Sequence, residues 1–270
     1  MKYFAVIGNP IAHSISPRLH NNAFLELGID SLYSRILFDK QITPSQFRQK
    51  ILSYGLSGAN VTVPFKEIAL KASDEIDAFA QKIGSVNTLV IKNQKIHAYN
   101  TDAPGFLKAI SEFEGIKKAL ILGAGGTARA ISVALANKEV EVSILNRSQK
   151  SGFESYDFFT PENFLENSGF LENSSFDIIV NTTPAGLTFA GLPFSKELLE
   201  SAMKGAKYAF DAVYGKKTDF ITLAENLGLK CKDGLSMLLY QAVFAFEIFT
   251  AQNDIEMIQS AMNKALSLRN

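Results

Sequence analysis

"KKALILGAGGTARAISVALANKEVEVSILNR", Lys117 to Arg147, reads as strand, glycine turn, helix and second strand. Ala119 to Leu122 is an apolar run of strand length, and Gly123, Gly125 and Ala128 follow it at GxGxxA spacing. Gly123 permits a tight turn, Gly125 lets the backbone approach a pyrophosphate, and Ala128 lets helix and strand pack closely. A helix starting there offers free N–H groups and a positive dipole end to phosphates. Glycines also make ordinary turns. The strand before and the helix after turn this spacing into an expected dinucleotide site.

The second strand indicates which dinucleotide. Sites that select NAD place Asp or Glu about 20 residues beyond the glycines, on the ribose hydroxyls. Here "EVEVSIL" ends in Asn146 and Arg147 instead. A guanidinium can meet a 2′-phosphate through charge-assisted bonds, so NADP is the expected cofactor. Lys150 adds charge or is simply solvated. The expected cofactor contacts are Gly123, Ala124, Gly125, Gly126, Thr127, Ala128, Asn146 and Arg147.

The rhythm continues outward. "FDIIVNTT" and "KYAFDAVY" read as further strands, and βαβ repetition marks a parallel sheet with helices on its faces. Ser148 to Ser175 is weaker, with loops and one short helix expected. Upstream, "YFAVIG", "SLYSRILF" and "ANVTV" read as strands and "SPRLHNNAFLELG" as a helix. "SVNTLVIKNQKIHAYN" reads as two strands joined by a turn at Lys92 to Gln94, and a helix starts at Lys66. "DAPGFLKAISEF" reads as a helix. Two more helices close the chain, Ser236 to about Ala251 and Asp254 to about Leu268. The first is apolar nearly all round and so should be buried, which leaves its Gln241 needing partners from the backbone, solvent or a ligand. Interleaved strands and helices make the first hundred residues an α/β layer as well.

Bulk numbers exclude several classes. At 270 residues the chain is long enough for two compact units. Lys+Arg and Asp+Glu are both 27, with no basic tail, which argues against nucleic-acid binding. A single Cys231 can form no internal disulfide and suits the cytoplasm. "MKYFAVIGNP" has an apolar stretch too short for a secretory leader. "MLLYQAVFAFEIF" is too short, and too polar at Gln241 and Glu247, to span a bilayer. His13, His20 and His97 lack metal-ligand spacing, so no metal site is expected.

In "SGANVTVPFK", Asn60 and Thr62 alternate with Val61 and Val63 ahead of Pro64 and Lys66. Alternation would send the valines into a core and leave the polar pair on the other face. Such a stretch is either an edge strand with a solvated face or the border of a polar ligand. "HSISP" is similarly open, because Ser16 before Pro17 could cap a helix while both serines bind a ligand.

In order along the chain, "GNPIAHSISPRLHN", "NVTVPFK", "SVNTL", "NTDAPG", "GAGGTARA", "NRS", "NTTPAG" and "DGLSMLLYQAVFAFE" resemble the shikimate dehydrogenase family over nearly its whole length. The resemblance implies an N-terminal α/β substrate domain and a Rossmann-like, doubly wound NADP-binding domain, with the active site between them and the last helices returning to the first. The corresponding boundaries are 1–101 with 237–270, and 102–236. It also implies reversible NADPH-linked reduction of 3-dehydroshikimate to shikimate, on the route to aromatic amino acids. Lys66 matches the family's catalytic lysine and Asp102 its partner. Ser14 and Ser16 match residues holding the substrate carboxylate, with Tyr214 nearby. Asn60, Thr62, Asn87, Asp102 and Gln241 match groups around the ring hydroxyls, and Ala212 and Gly234 backbone contacts near the nicotinamide.

The implied chemistry is coherent. Reducing a ketone takes a hydride, a proton for the developing alkoxide and a site that fixes the ring. Lys66 can supply the proton, and Asp102 beside it favours the ammonium form, which makes Asp102 chiefly an orienting partner. A surface ion pair is the bland alternative for these two. The chain departs from the family at Lys216, where proline is usual, and at "SGFESYDFF", where a long helix is usual. A relative that also takes quinate, with NAD, is one alternative. A non-catalytic metabolite-sensing module is another, and Lys66, Asp102 and the complete glycine turn argue against it. The expected form is a monomer or homodimer binding only small molecules.

Overall fold

A computed structural model describes residues 1–166, 175–187 and 189–267. The chain divides into two compact units, Met1–Gly105 with Leu238–Asn270, and Phe106–Met237. In the first unit the elements run β1 (Lys2–Gly8), α1 (Ser16–Glu26), β2 (Ser31–Leu37), α2 (Pro44–Ser53), β3 (Gly58–Val61) and α3 (Lys66–Ala72). They continue as β4 (Glu75–Ile76), α4 (Ala78–Ile83), β5 (Thr88–Lys92), β6 (Lys95–Tyr99) and α5 (Asp102–Ala109). The next elements are β7 (Lys118–Leu122), α6 (Gly126–Ala136), β8 (Glu141–Leu145), β9 (Asp157–Phe159), α7 (Pro161–Glu166) and β10 (Ile178–Asn181). Then come α8 (Lys196–Met203), β11 (Tyr208–Asp211), α9 (Asp219–Asn226), β12 (Lys230–Lys232), α10 (Leu235–Thr250) and α11 (Ile255–Ser267).

The first sheet has the order β2-β1-β3-β5-β6-β4. β1 runs parallel to β2 and β3, whereas β5 is antiparallel to both β3 and β6. Alternation along β1 sends Phe4 and Val6 into a core with α1, α10 and α11, and Ala5 and Ile7 into a second core with α2 and α3. Covered on both faces, β1 can be a continuous apolar run. The β5–β6 turn carries Asn93 and Gln94 at φ 51° and 60°, the left-handed pair that a tight two-residue hairpin requires.

Two expectations are corrected here. β3 stops at Val61, so Val63 does not enter a core; it is 63% exposed in the turn where the Phe65 N–H donates to the Thr62 carbonyl. Ser16 does not cap α1, because the N-cap residue is Ile15 and no side-chain cap bond forms; the Ser14 hydroxyl instead accepts the Ser16 N–H. The first unit runs through Gly105, so Asp102 lies in the same unit as Lys66.

The second sheet is wholly parallel, in the order β12-β11-β10-β7-β8-β9. Counted from β7, that is strand order 3-2-1-4-5-6, the Rossmann winding, which reverses between β7 and β10. Ligands of such sheets bind beyond the carboxyl ends of the strands at that reversal. Leu120 and Leu122 of β7 pack with Ile179 and Ala209 against α8 and α9. Between Ser148 and Ser175 the structure has β9 and α7; residues 167–174 of that stretch lie outside the described residues.

Candidate active site

Lys66 opens α3 and Asp102 opens α5. Lys66 Nζ donates to Asp102 Oδ2 at 2.5 Å, with both side chains largely buried. A negative side chain suits the first turn of α5, where unpaired N–H groups concentrate positive potential. The Asn100 side-chain oxygen accepts the N–H groups of Asp102 and Ala103, and its amide nitrogen donates to the Ser85 carbonyl. That cap sets where the helix begins, and therefore where Asp102 points.

Asp102 Oδ1 accepts from Asn87 Nδ2 at 2.9 Å. The Asn87 amide is held by the Thr101 N–H on its oxygen, and its nitrogen reaches Gln241 Oε1 at 3.4 Å. Gln241 projects from α10 and donates to the Leu238 carbonyl. α5 meets α10 through bare backbone: a Cβ on Gly105 would lie 2.9 Å from the Gln241 nitrogen. Lys66, Asn87, Asp102 and Gln241 thus form one polar cluster.

Asn60 is buried and spends both amide hydrogens inside the protein, on the Asn87 carbonyl and the Thr88 hydroxyl. Its oxygen accepts from the Tyr33 hydroxyl at 2.7 Å. Thr62 is half-buried beyond the end of β3, its methyl against Gly8. Ser14 and Ser16 are buried with their hydroxyls 3.2 Å apart, and Arg35 grips the Ser14 carbonyl through Nε and Nη2 at 2.8 and 2.5 Å. Sequence reading passed over Tyr33, Arg35, Thr88 and Thr101. The antiparallel register sets Thr88 opposite Asn60 and so lets its hydroxyl join Asn60 to Asn87.

In the second unit, Gly123 has φ 100°, and a Cβ there would meet Thr182 Oγ1 at 2.8 Å. The Thr182 hydroxyl donates to the Leu122 carbonyl at 2.7 Å, joining the glycine turn to the end of β10 across the sheet reversal. Gly125 is the N-cap of α6 with no side-chain cap, and a Cβ on it would meet nothing within 4 Å. Space over the N-terminal end of a helix fits a dinucleotide pyrophosphate. Gly126 and Thr127 are half-buried, as is Ala124, while Ala128 is buried against the sheet. Asn146 ends the neighbouring strand and donates to the Ser148 carbonyl, and Arg147 beside it is exposed.

The loops after β10 and β11 share a buried network. Asp211 accepts from Asn181 at 3.0 Å and from the Thr218 hydroxyl at 2.6 Å. Burial raises the Asp211 carboxyl above its ordinary range, against the hydrogen bonds that favour its anion. Next to it, the Gly234 N–H donates to the Val213 carbonyl, and Gly234 lies so near the Ala212 carbonyl that a Cβ would fall at 2.3 Å. Ala212 and Gly234 are therefore adjacent, and Tyr214 follows, half-buried. Among the described residues no group of three His, Cys, Asp or Glu could hold a metal. No helix among them is long and apolar enough to cross a membrane.

A Rossmann sheet with an open glycine turn, and a separate α/β unit holding a buried lysine–carboxylate pair, define a dinucleotide-dependent α/β protein. Residues 6–89 match the shikimate dehydrogenase substrate binding domain. A shikimate dehydrogenase (NADP+) of Helicobacter hepaticus is 45% identical over 98% of this chain and 99% of its own. Shikimate dehydrogenase 1 of Peptoclostridium difficile superposes with TM-score 0.85 at 28% identity, covering 98% of each chain. The Thermus thermophilus enzyme, solved in complex with NADP(H) and shikimate, superposes with TM-score 0.79 at 32% identity, over 98% of this chain and 100% of that one. The chain belongs to the shikimate dehydrogenase family.

Proposed function

We propose that this chain is an NADP-dependent shikimate dehydrogenase that reversibly reduces 3-dehydroshikimate to shikimate in aromatic amino acid biosynthesis. Residues 1–105 with 238–270 serve as the substrate and catalytic unit, and residues 106–237 bind NADP. The observation that carries the reading is the sheltered Lys66–Asp102 pair joined through Asn87 to Gln241.

NADPH, when bound, supplies the hydride. Lys66 gives a proton to the oxygen that becomes anionic, and takes one back in the reverse direction. Asp102 holds the lysine through Oδ2 and Asn87 through Oδ1, which fixes the angle of the ammonium. Thr62, Asn87, Asp102 and Gln241 address the ring hydroxyls, and Asn60, expected among them, stands behind with both amide hydrogens spent inside the protein. Ser14 and Ser16 take the carboxylate, with Tyr214 assisting. Gly125, Gly126 and Thr127 would hold the pyrophosphate, Asn146 and Arg147 the phosphorylated ribose, and the Ala212 and Gly234 backbones the nicotinamide.

The protein works in the cytoplasm as a monomer or homodimer and binds no nucleic acid. Absorbance of the reduced nicotinamide tests the reading directly. Shikimate with NADP+ should produce it rapidly, quinate and NAD+ much more slowly. No change with shikimate and NADP+ would overturn the assignment, and equal rates with quinate would make the chain a quinate/shikimate dehydrogenase.

A further inference from the structure

The polar row behind the catalytic pair begins at a residue with no part in the chemistry. Tyr33 lies in the edge strand β2 and is only 2% exposed. Its ring stacks on His20, centroids 4.2 Å apart and planes 3° from parallel. Its backbone is clamped by Asn21, whose side-chain oxygen accepts the Tyr33 N–H at 2.8 Å and whose nitrogen donates to the Tyr33 carbonyl at 2.9 Å. The hydroxyl at the end of this fixed ring has its bond to Asn60.

Neighbouring backbone groups fix which way both amides in the row point. Backbone carbonyls only accept, so the Asn60 atom facing the Asn87 carbonyl is nitrogen, and its oxygen faces Tyr33, which must donate. The Thr101 N–H likewise fixes the Asn87 oxygen. Between them, the Thr88 hydroxyl accepts from Asn60 at 3.0 Å and donates to Asn87 at 3.0 Å. Asn87 nitrogen then donates to Asp102. The Tyr33 hydroxyl and the two amides thus donate in the direction of the carboxylate that holds Lys66, and the Thr88 hydroxyl, which also touches the Thr101 hydroxyl at 3.2 Å, links them.

Resting on the shikimate dehydrogenase reading, we propose that Tyr33 is a positioning residue, which orients the Asn60 amide and, through Thr88 and Asn87, the Asp102 carboxylate and the Lys66 ammonium. The burial that raises the Tyr33 phenol well above its ordinary pKa keeps it a donor throughout the working range. Fixed amides suit catalysis because the groups are set before the substrate arrives.

Shikimate oxidation by NADP+ should be measured for the parent, Tyr33→Phe, Thr88→Val and the double variant, with melting temperature as a check on folding. Tyr33→Phe keeps the stacked ring and loses only the hydroxyl. kcat should fall about 10-fold with KM little changed, since the row ends at the lysine. Thr88→Val should show the same split. The double variant should be no worse than the worse single, because both break one row. Parental kcat in Tyr33→Phe, or multiplying defects in the double variant, would overturn the proposal. If Tyr33→Phe does not fold, Thr88→Val decides alone: a lowered kcat supports the row and a parental kcat removes it. An inactive parent would instead count against the assigned reaction.

Discussion

Lys66 and Asp102 each stand at the first residue of a helix, their charged atoms 2.5 Å apart and their side chains 11% and 9% exposed. Removing two charges from water costs several kcal/mol per ion, and a buried pair with hydrophobic replacements is often no less stable. Stability therefore gives no reason to keep this pair. The proton-donor role proposed for Lys66 would.

Lys66→Ala should lower kcat by about 10²–10⁴ with KM little moved, as for loss of an acid–base group. Steady-state rates with shikimate and NADP+ check this, and near-parental turnover would remove Lys66 from the mechanism.

Ser14→Ala should act on affinity. Arg35 holds the Ser14 backbone, so the loop keeps its course when the hydroxyl goes. KM for shikimate should rise about 10-fold, the worth of one hydrogen bond to a charged group. A loss confined to kcat would count against a carboxylate contact.

Arg147→Ala should change cofactor choice. A charge-assisted bond to phosphate is worth roughly 1.5–3 kcal/mol, so kcat/KM for NADPH should drop about 10- to 100-fold while that for NADH stays near its parental value. An unchanged ratio would exclude Arg147 from the 2′-phosphate.

His20→Phe should alter acid stability. His20 is fully buried among Tyr33, Phe24, Phe246 and Phe249, neither ring nitrogen has a hydrogen-bond partner among the described residues, and burial lowers its pKa to about 3. The unfolded chain binds a proton there below the ordinary value of 6.5, and the folded chain only below about 3. A depressed folded pKa means the contribution is whole above 6.5 and is lost as pH falls toward 3. At pH 5 the loss is about 2 kcal/mol. Denaturant titrations at pH 7 and pH 5 should show that fall in the parent and a smaller one in His20→Phe; equal falls would mean the ring accepts a proton inside the fold.

Much of this was legible because it rests on local pattern. The apolar run ending at Leu122, the glycines behind it and the strand ending in Asn146 and Arg147 are contiguous, and β7, α6 and β8 lie where that pattern puts them. Short helices such as α2 went unread because only Phe47 and Ile51 are buried, too few to show a period. Their signal lies in the caps instead, in the Thr43–Gln46 capping box and in the hydroxyls of Ser195 and Thr218. Tyr33 could not be tied to the site from sequence, since its partner is 27 residues away and only the β2–β1–β3 order brings them together.

Gly105 carries a consequence for how such an enzyme can vary. Just past the first turn of α5, the main chain at Gly105 abuts the main chain at Gln241, with no room for a methyl group. Any side chain there would shove the carboxylate that steadies the lysine and the amide proposed to meet the ring in one movement. Grip and speed are yoked at this crossing. Natural drift or engineering that seeks to adjust one alone must enter by another door, such as Thr62, Ser14 or Ser16.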